Sequence, residues 1–168
     1  MTGGLTCALP IFIDADEIKS LSYDANFRFT FFRRFTNFDF NWQTKKLTST
    51  GQYDWQATLM EAPVYDPLNV QVELRKRLMH GETKFSLVLP EIKTGELVEN
   101  IYAIKGETIF TLEGKEYPCI ILERVRAQDN RITTYTMAKD LNYLIFKITD
   151  NDPDGDIALT IKQLLSFG

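Results

Sequence analysis

The chain has 168 residues, 44% of them hydrophobic and 25% charged, with a formal net charge of −4 at pH 7. That length suits one domain with a real core, and the acidic balance argues against a nucleic-acid surface, which needs clustered Lys and Arg. The basic stretch Arg75-Lys76-Arg77 is too short to supply one, and no apolar run reaches the length of a membrane span.

Residues 1–11 read MTGGLTCALPI. They resemble the conceptual translation of a sequencing-library adaptor, MTGVQTCALPI, and depart from it only at Gly4 and Leu5. The segment is therefore expected to be a non-native leader, the alternative being a natural leader that carries a cysteine. With it set aside, residues 12–168 are expected to be a single β domain lacking its first strands, with an edge left exposed. Cys7 then drops out, Cys119 is the only cysteine left, and no intrachain disulfide can be drawn.

From Phe27 onward the dominant signal has period two. Phe27, Phe29 and Phe31 alternate with Arg28 and Thr30, and Phe38, Phe40 and Trp42 alternate with Asp39, Asn41 and Gln43. Such alternation is what a strand with one buried face requires. The stripe from Phe27 to Trp42 reads as core, with a ligand surface as the other reading. Asp66-Pro67 then opens a helix over about residues 66–80, with Asp66 as N-cap, Pro67 at the first helical position and Gly81 just past the end. Leu68, Val72 and Met79 lie along one side, with Val70, Leu74 and Leu78 beside them. A face that broad covers the open side of a sheet, or else plugs or lids a cavity.

Alternation returns at Phe85-Leu87-Leu89, at Leu144-Phe146-Ile148 and at Ile157-Leu159-Ile161, continuing to Leu165 and Phe167. Cys119 to Val125 is apolar on both faces at first, as a central strand would be. Lys105-Gly106-Glu107, Glu113-Gly114-Lys115, Asp129-Asn130 and Asp154-Gly155 each sit between strand-like runs and read as hairpin turns. Strands joined so tightly are antiparallel, and the result is a meander.

The residues that could carry chemistry are few. Asp150, Asp152 and Asp154 with Gly155 match the opening of a calcium loop. The closing position, where a bidentate Glu belongs, is Ile161, and Pro153 fits a hairpin, so an acidic solvated turn is the reading preferred to an ion site. His80 is the only histidine and falls at the helix C-terminus, where it suits the dipole. Cys119 opens an apolar strand and reads as a small buried hydrophobe. Glu123, Arg124 and Arg126 could line a pocket, but cross-strand pairing with the Asp129-Asn130-Arg131 hairpin is preferred. No catalytic, cofactor-binding or metal-ligating residue is therefore nominated.

Three stretches carry a family resemblance: FDFNWQTKKLTSTG (38–51), YDPLNVQVELRKRLMHGETKFSL (65–87) and YAIKGETIFTLEGKEYPCIILERVRAQDNRITTYTMAKDLNYLIFKI (102–148). The markers are Gly106-Glu107, Gly114, Glu123-Arg124-Val125-Arg126, Thr133-Thr134, then Ala138 with Leu141, Tyr143 and Leu144, and Asp154-Gly155. In order and spacing, over about residues 20–168, these resemble the bacterial domain-of-unknown-function 3108 family. Thr136-Met137 and Ile145-Phe146 depart from the family pattern, conservatively for a strand.

The resemblance implies an envelope protein exported by a signal peptide to the periplasm, with further strands before the part seen here and no established activity. It also implies a curved antiparallel sheet or incomplete β-barrel with one packed helix, similar in outline to periplasmic lipoprotein carriers. The expected function is a non-enzymatic module holding an apolar ligand, a lipid or acyl chain, against the alternating strands and Leu74 and Leu78. The alternative is a structural or protein-interaction module with a solid core that binds through an exposed sheet edge. A hydrolase would need His, Asp, Glu or Cys gathered in one cleft.

Overall fold

A computed structural model of the chain describes residues 4–8, 11–14, 17–28, 33–129, 131–151 and 157–164, and the side chains of 17–26, 34–129, 131–151 and 157–164. The strands in chain order are β1 (Gly4–Ala8), β2 (Ile11–Asp14), β3 (Glu17–Ser20), β4 (Ser22–Arg28), β5 (Arg33–Asn41), β6 (Lys46–Gly51) and β7 (Trp55–Thr58). Helix α1 (Asn69–Met79) follows, then β8 (Lys84–Pro90), β9 (Leu97–Leu112), β10 (Lys115–Arg126), β11 (Ile132–Ala138), β12 (Leu144–Asp150) and β13 (Ile157–Thr160). A five-stranded sheet runs β1-β4-β5-β6-β7, a six-stranded meander runs β13-β12-β11-β10-β9-β8, and β2 pairs with β3. Neither of the larger sheets closes on itself among the described residues.

The chain divides into two compact units, Met1–Glu73 with Leu87–Val98, and Leu74–Ser86 with Glu99–Gly168. In the first unit the alternation at Phe38 and Phe40 has the expected cause: both rings are buried, with Tyr23, Ala25, Leu47, Leu59 and Val64, and Trp42 and Trp55 pack against them. Register brings these side chains together. Tyr23 lies opposite Phe38 and Phe40 opposite Leu47, with the Phe38 ring centroid 5.3 Å from that of Tyr23 and 5.1 Å from that of Trp55. So this part of the aromatic stripe is core. The backbone at Phe27 belongs to β4, but its side chain and the whole of Phe29 and Phe31 lie outside the described residues.

Trp55 also caps the turn between β8 and β9. Its indole Nε1 donates to the Ile92 carbonyl at 2.8 Å, and a Cβ at Gly95 (φ +75°) would fall 2.4 Å from the ring. Only glycine combines that backbone with that approach.

Both ends of α1 follow the sequence. Asp66 Oδ1 accepts the N–H groups of Leu68 (2.8 Å) and Asn69 (3.0 Å), two of the donors a helix start leaves orphaned. At the other end Gly81 (φ +83°) donates to Leu78 O at 3.0 Å and Glu82 to Arg77 O at 3.1 Å. This is a Schellman motif, whose left-handed residue glycine fills without strain. The buried stripe is Val70, Leu74 and Leu78, one turn apart. Met79, expected on the apolar face, is instead 52% exposed in the last turn.

In the second unit β10 is interior to the sheet, as its doubly apolar start predicts. Cys119, Ile120 and Leu122 are all buried although adjacent positions face opposite sides. Cys119 joins a cluster of Leu112, Tyr117, Ala138 and Phe146, against which Phe110, Ile161 and Leu164 pack.

Two expectations need correction. Lys105-Gly106-Glu107 is no hairpin turn, since β9 runs straight through it from Leu97 to Leu112. Opposite Ile121 stands Gly106 and opposite Leu122 stands Ile104, so Lys105 is the extra residue of a β-bulge. A bulge is the other use a strand makes of glycine. The row Ile157-Leu159-Ile161 does not turn one face inward either. All four residues of β13 are exposed and only Ile161, just beyond it, packs on the core. Leu165 and Phe167 lie outside the described residues.

Candidate functional site

The richest polar constellation lies across the six-stranded sheet. Register places Tyr102 of β9 opposite Arg124 of β10, Arg124 opposite Thr133 of β11, and Thr133 opposite Asp150 of β12. Asp150 in turn stands opposite Ile157, the first residue of β13. Direct cross-strand partners share a face, so these side chains form one line.

The line is wired as a relay. Arg124 Nη2 donates to Thr133 Oγ1 at 2.5 Å, and that hydroxyl donates to Asp150 Oδ1 at 2.8 Å. Arg131 Nε reaches the same carboxylate at 3.2 Å. Burial raises the pKa of Asp150, but the hydrogen bonds from Arg131 and Thr133 and the charge of both arginines outweigh it and hold the carboxyl below the usual aspartate range.

Tyr102 and Tyr135 close the buried end, with ring centroids 6.4 Å apart. Burial pushes both phenols up, and Arg124 pulls each only partly back. They stay neutral at physiological pH and supply no base. Neither Tyr102 Oη nor Arg124 Nε finds a well-formed hydrogen bond among the described residues, and both atoms are buried. A desolvated donor of that kind is normally satisfied by water.

Of the other nominated charges, Arg126 pairs within the Asp129 hairpin as expected, whereas Glu123 pairs not with that hairpin but with Lys105 of β9. Lys105 Nζ lies 3.3 Å from Glu123 Oε1. Arg126 Nε donates to Asp129 Oδ1 at 2.8 Å within the hairpin. Those hydrogen bonds from Arg126 hold the Asp129 carboxyl at about 2. His80 is exposed at the end of α1, its backbone N–H bonded to Lys76 O at 3.1 Å. Cys119 is buried and burial pushes its thiol up, so the sulfur remains protonated and its contact is a 3.4 Å bond to the Tyr117 carbonyl.

Of the acidic turn, Asp150 belongs to the relay, while Asp152, Asp154 and Gly155 lie outside the described residues. Among the described residues no group of three or more His, Cys, Asp or Glu side chains could hold a metal ion.

A second buried polar knot sits in the first unit. Ser20, Asp66 and Asn69 are all fully buried. Ser20 Oγ accepts from Asn69 Nδ2 (2.9 Å) and from the Asp66 N–H (3.1 Å), and Asn69 Nδ2 also donates to Asp66 Oδ2 at 2.5 Å. Burial raises the Asp66 carboxyl despite these bonds. The knot fastens the end of β3 to the start of α1; of its members only Asp66 was readable in advance.

The remaining feature is an edge. Among the described residues β13 pairs only with β12, and it ends the six-stranded sheet with Ile157 54% and Leu159 63% exposed. An open strand edge carries a row of backbone donors and acceptors ready to pair with another chain. At the other end of the sheet β8 is partly covered, for Val64 bridges to Val88 and the Tyr65 N–H donates to Val88 O at 3.0 Å.

No described helix is long and apolar enough to cross a membrane. A family model described as "Protein of unknown function (DUF3108)" matches residues 9–162. No curated protein and no solved structure matches the chain.

Proposed function

The chain belongs to the DUF3108 family of proteins of unknown function, and from that premise we propose a non-enzymatic interaction module of the bacterial envelope, working in the periplasm. Its binding element is the edge of β13, which has no second partner strand among the described residues and adds an extended segment of another polypeptide as a further strand. The observation that carries this reading is the exposure of Ile157 and Leu159 on an edge strand with no charge of its own. The non-enzymatic part is supported by the state of the reactive groups: a protonated buried thiol, neutral phenols, and a carboxylate held by two arginine-linked partners. The periplasmic compartment is proposed from what the sequence resemblance implies.

An apolar ligand, a lipid or acyl chain, is the rival reading. Its nominated lining is the alternating strands with Leu74 and Leu78, and both leucines are already buried; we rank it second for that reason. The two separate in one experiment. A photo-reactive residue replacing Leu159, activated in bacteria that express the chain, is expected to yield a polypeptide adduct that a replacement at exposed Lys93 does not. A lipid co-purifying in native mass spectrometry, with no adduct from position 159, would overturn the edge reading.

A further inference from the structure

We propose that Tyr102 and Arg124 form an anion site on the six-stranded sheet that takes the carboxylate of a small organic acid. The site is independent of the β13 edge. Two observations lead to it.

The first is a pair of buried donors. Tyr102 is fully buried, and neither its Oη nor Arg124 Nε makes a well-formed hydrogen bond among the described residues. The two cannot satisfy each other. A guanidinium only donates, so contact with Arg124 can serve the lone pairs of the phenol but never its O–H. Burial keeps that proton in place. Two donor hydrogens, one from each member of a direct cross-strand pair, therefore lie side by side without an acceptor. The second observation is charge. Arg124 Nη2 donates to the neutral hydroxyl of Thr133, and Thr133 stands between it and Asp150, whose carboxylate pairs directly with Arg131. Among the described residues Arg124 has no carboxylate of its own, and a charge withdrawn from water without a partner is costly.

Water would satisfy the two hydrogens but not the charge. A carboxylate satisfies both, through charge-assisted hydrogen bonds, which are the strong kind. A phosphate dianion fits less well, for it brings more acceptors than two donors serve, and Asp150 stands close enough to repel it. Arg124 is only half-buried, which gives an acid a way in from solvent. Tyr102 at the inner end is held by the Phe85 ring stacked on it, 5.6 Å between centroids.

Isothermal titration calorimetry of the full chain tests the proposal, with sodium acetate, hexanoate and phosphate at fixed ionic strength against a sodium chloride control. Acetate and hexanoate are expected to bind. Equal affinities identify a short acid as the ligand class, and tighter hexanoate an acid with an apolar tail. Tyr102→Phe is expected to weaken carboxylate binding about tenfold. It should also leave the thermal midpoint of the free chain unchanged or higher, because it deletes a buried donor that lacks an acceptor. Arg124→Gln is expected to abolish binding, and Lys139→Gln, which removes a surface cation paired with Glu107, to leave it intact. Should Arg124→Gln fail to fold by circular dichroism, Tyr102→Phe decides alone. No carboxylate heat beyond the chloride control, or binding of phosphate only, overturns the proposal. So does a Tyr102→Phe variant that loses stability while its carboxylate affinity is unchanged, which would assign the phenol to a buried water.

Discussion

Asp66 and Asp150 are both acidic residues in hydrogen-bonded surroundings, and they respond to pH in opposite senses. Asp150 has a depressed pKa. Its contribution to stability is present above the unfolded-state value, near 4, and is lost as pH falls through the lower folded-state value. Asp66 has a raised pKa, so its ionisation works against the fold: that cost is absent in acid and appears as pH rises through the folded-state value. Urea titrations across the acid range therefore separate them. Asp150→Asn is expected to flatten the loss of stability below about pH 4, and Asp66→Asn to remove a penalty present at neutral pH while keeping a capping oxygen. Asp66→Ala, which removes the cap itself, is expected to cost about 1–2 kcal/mol. Identical pH profiles for Asp150→Asn and the parent would refute the relay.

Some of this residue-level detail was legible and some was not. The Asp66 cap and the Gly81 stop are local chemistry, decided within a few residues, and the sequence spells them out. Ser20 and Asn69 were invisible because the contact spans 49 residues. The relay was obscured by parity. Ile101 and Ile132 alternate with Tyr102 and Thr133, and an apolar-inward reading puts the isoleucines in the core. The structure does the reverse: Tyr102 and Thr133 are buried while Ile101 and Ile132 are exposed. Hydrogen bonds along Arg124, Thr133 and Asp150 make that inversion tolerable, since buried polar groups that are paired lose little.

At the scale of elements, two glycines with positive φ give a controlled comparison. Gly81 has no atom within 4 Å of a built Cβ, whereas Gly95 has the Trp55 ring at 2.4 Å. Gly81→Ala carries only the left-handed backbone penalty, about 1–2 kcal/mol. Gly95→Ala adds a clash that must displace Trp55 and break its bond to Ile92, and is expected to cost clearly more, read as a larger drop in the denaturation midpoint and a red-shifted tryptophan emission. Equal losses at the two sites would contradict the packing described for Trp55. Element type was readable wherever one period held for several residues, as at Phe38-Phe40 and Phe85-Leu87-Leu89. It failed at Lys105-Gly106-Glu107 because glycine serves turns and bulges alike, and only the partner strand, through the step from Gly106 to Ile104, distinguishes them.

At the scale of the molecule, the antiparallel meander and helix α1 followed from turn spacing and hydrophobic period. The strand order also follows, β8 to β13 being laid down in sequence. What period could not show is which strand lies at an edge: Ile157-Leu159-Ile161 reads as a buried row, and its exposure becomes evident only once β12 is seen to be its sole described neighbour. That exposed strand is the centre of the functional account, and amide hydrogen exchange at Ile157, Ala158, Leu159 and Thr160 tests it most directly. The amides bonded to β12 are expected to be protected and those facing outward to exchange freely. Protection of all four amides would contradict an open edge.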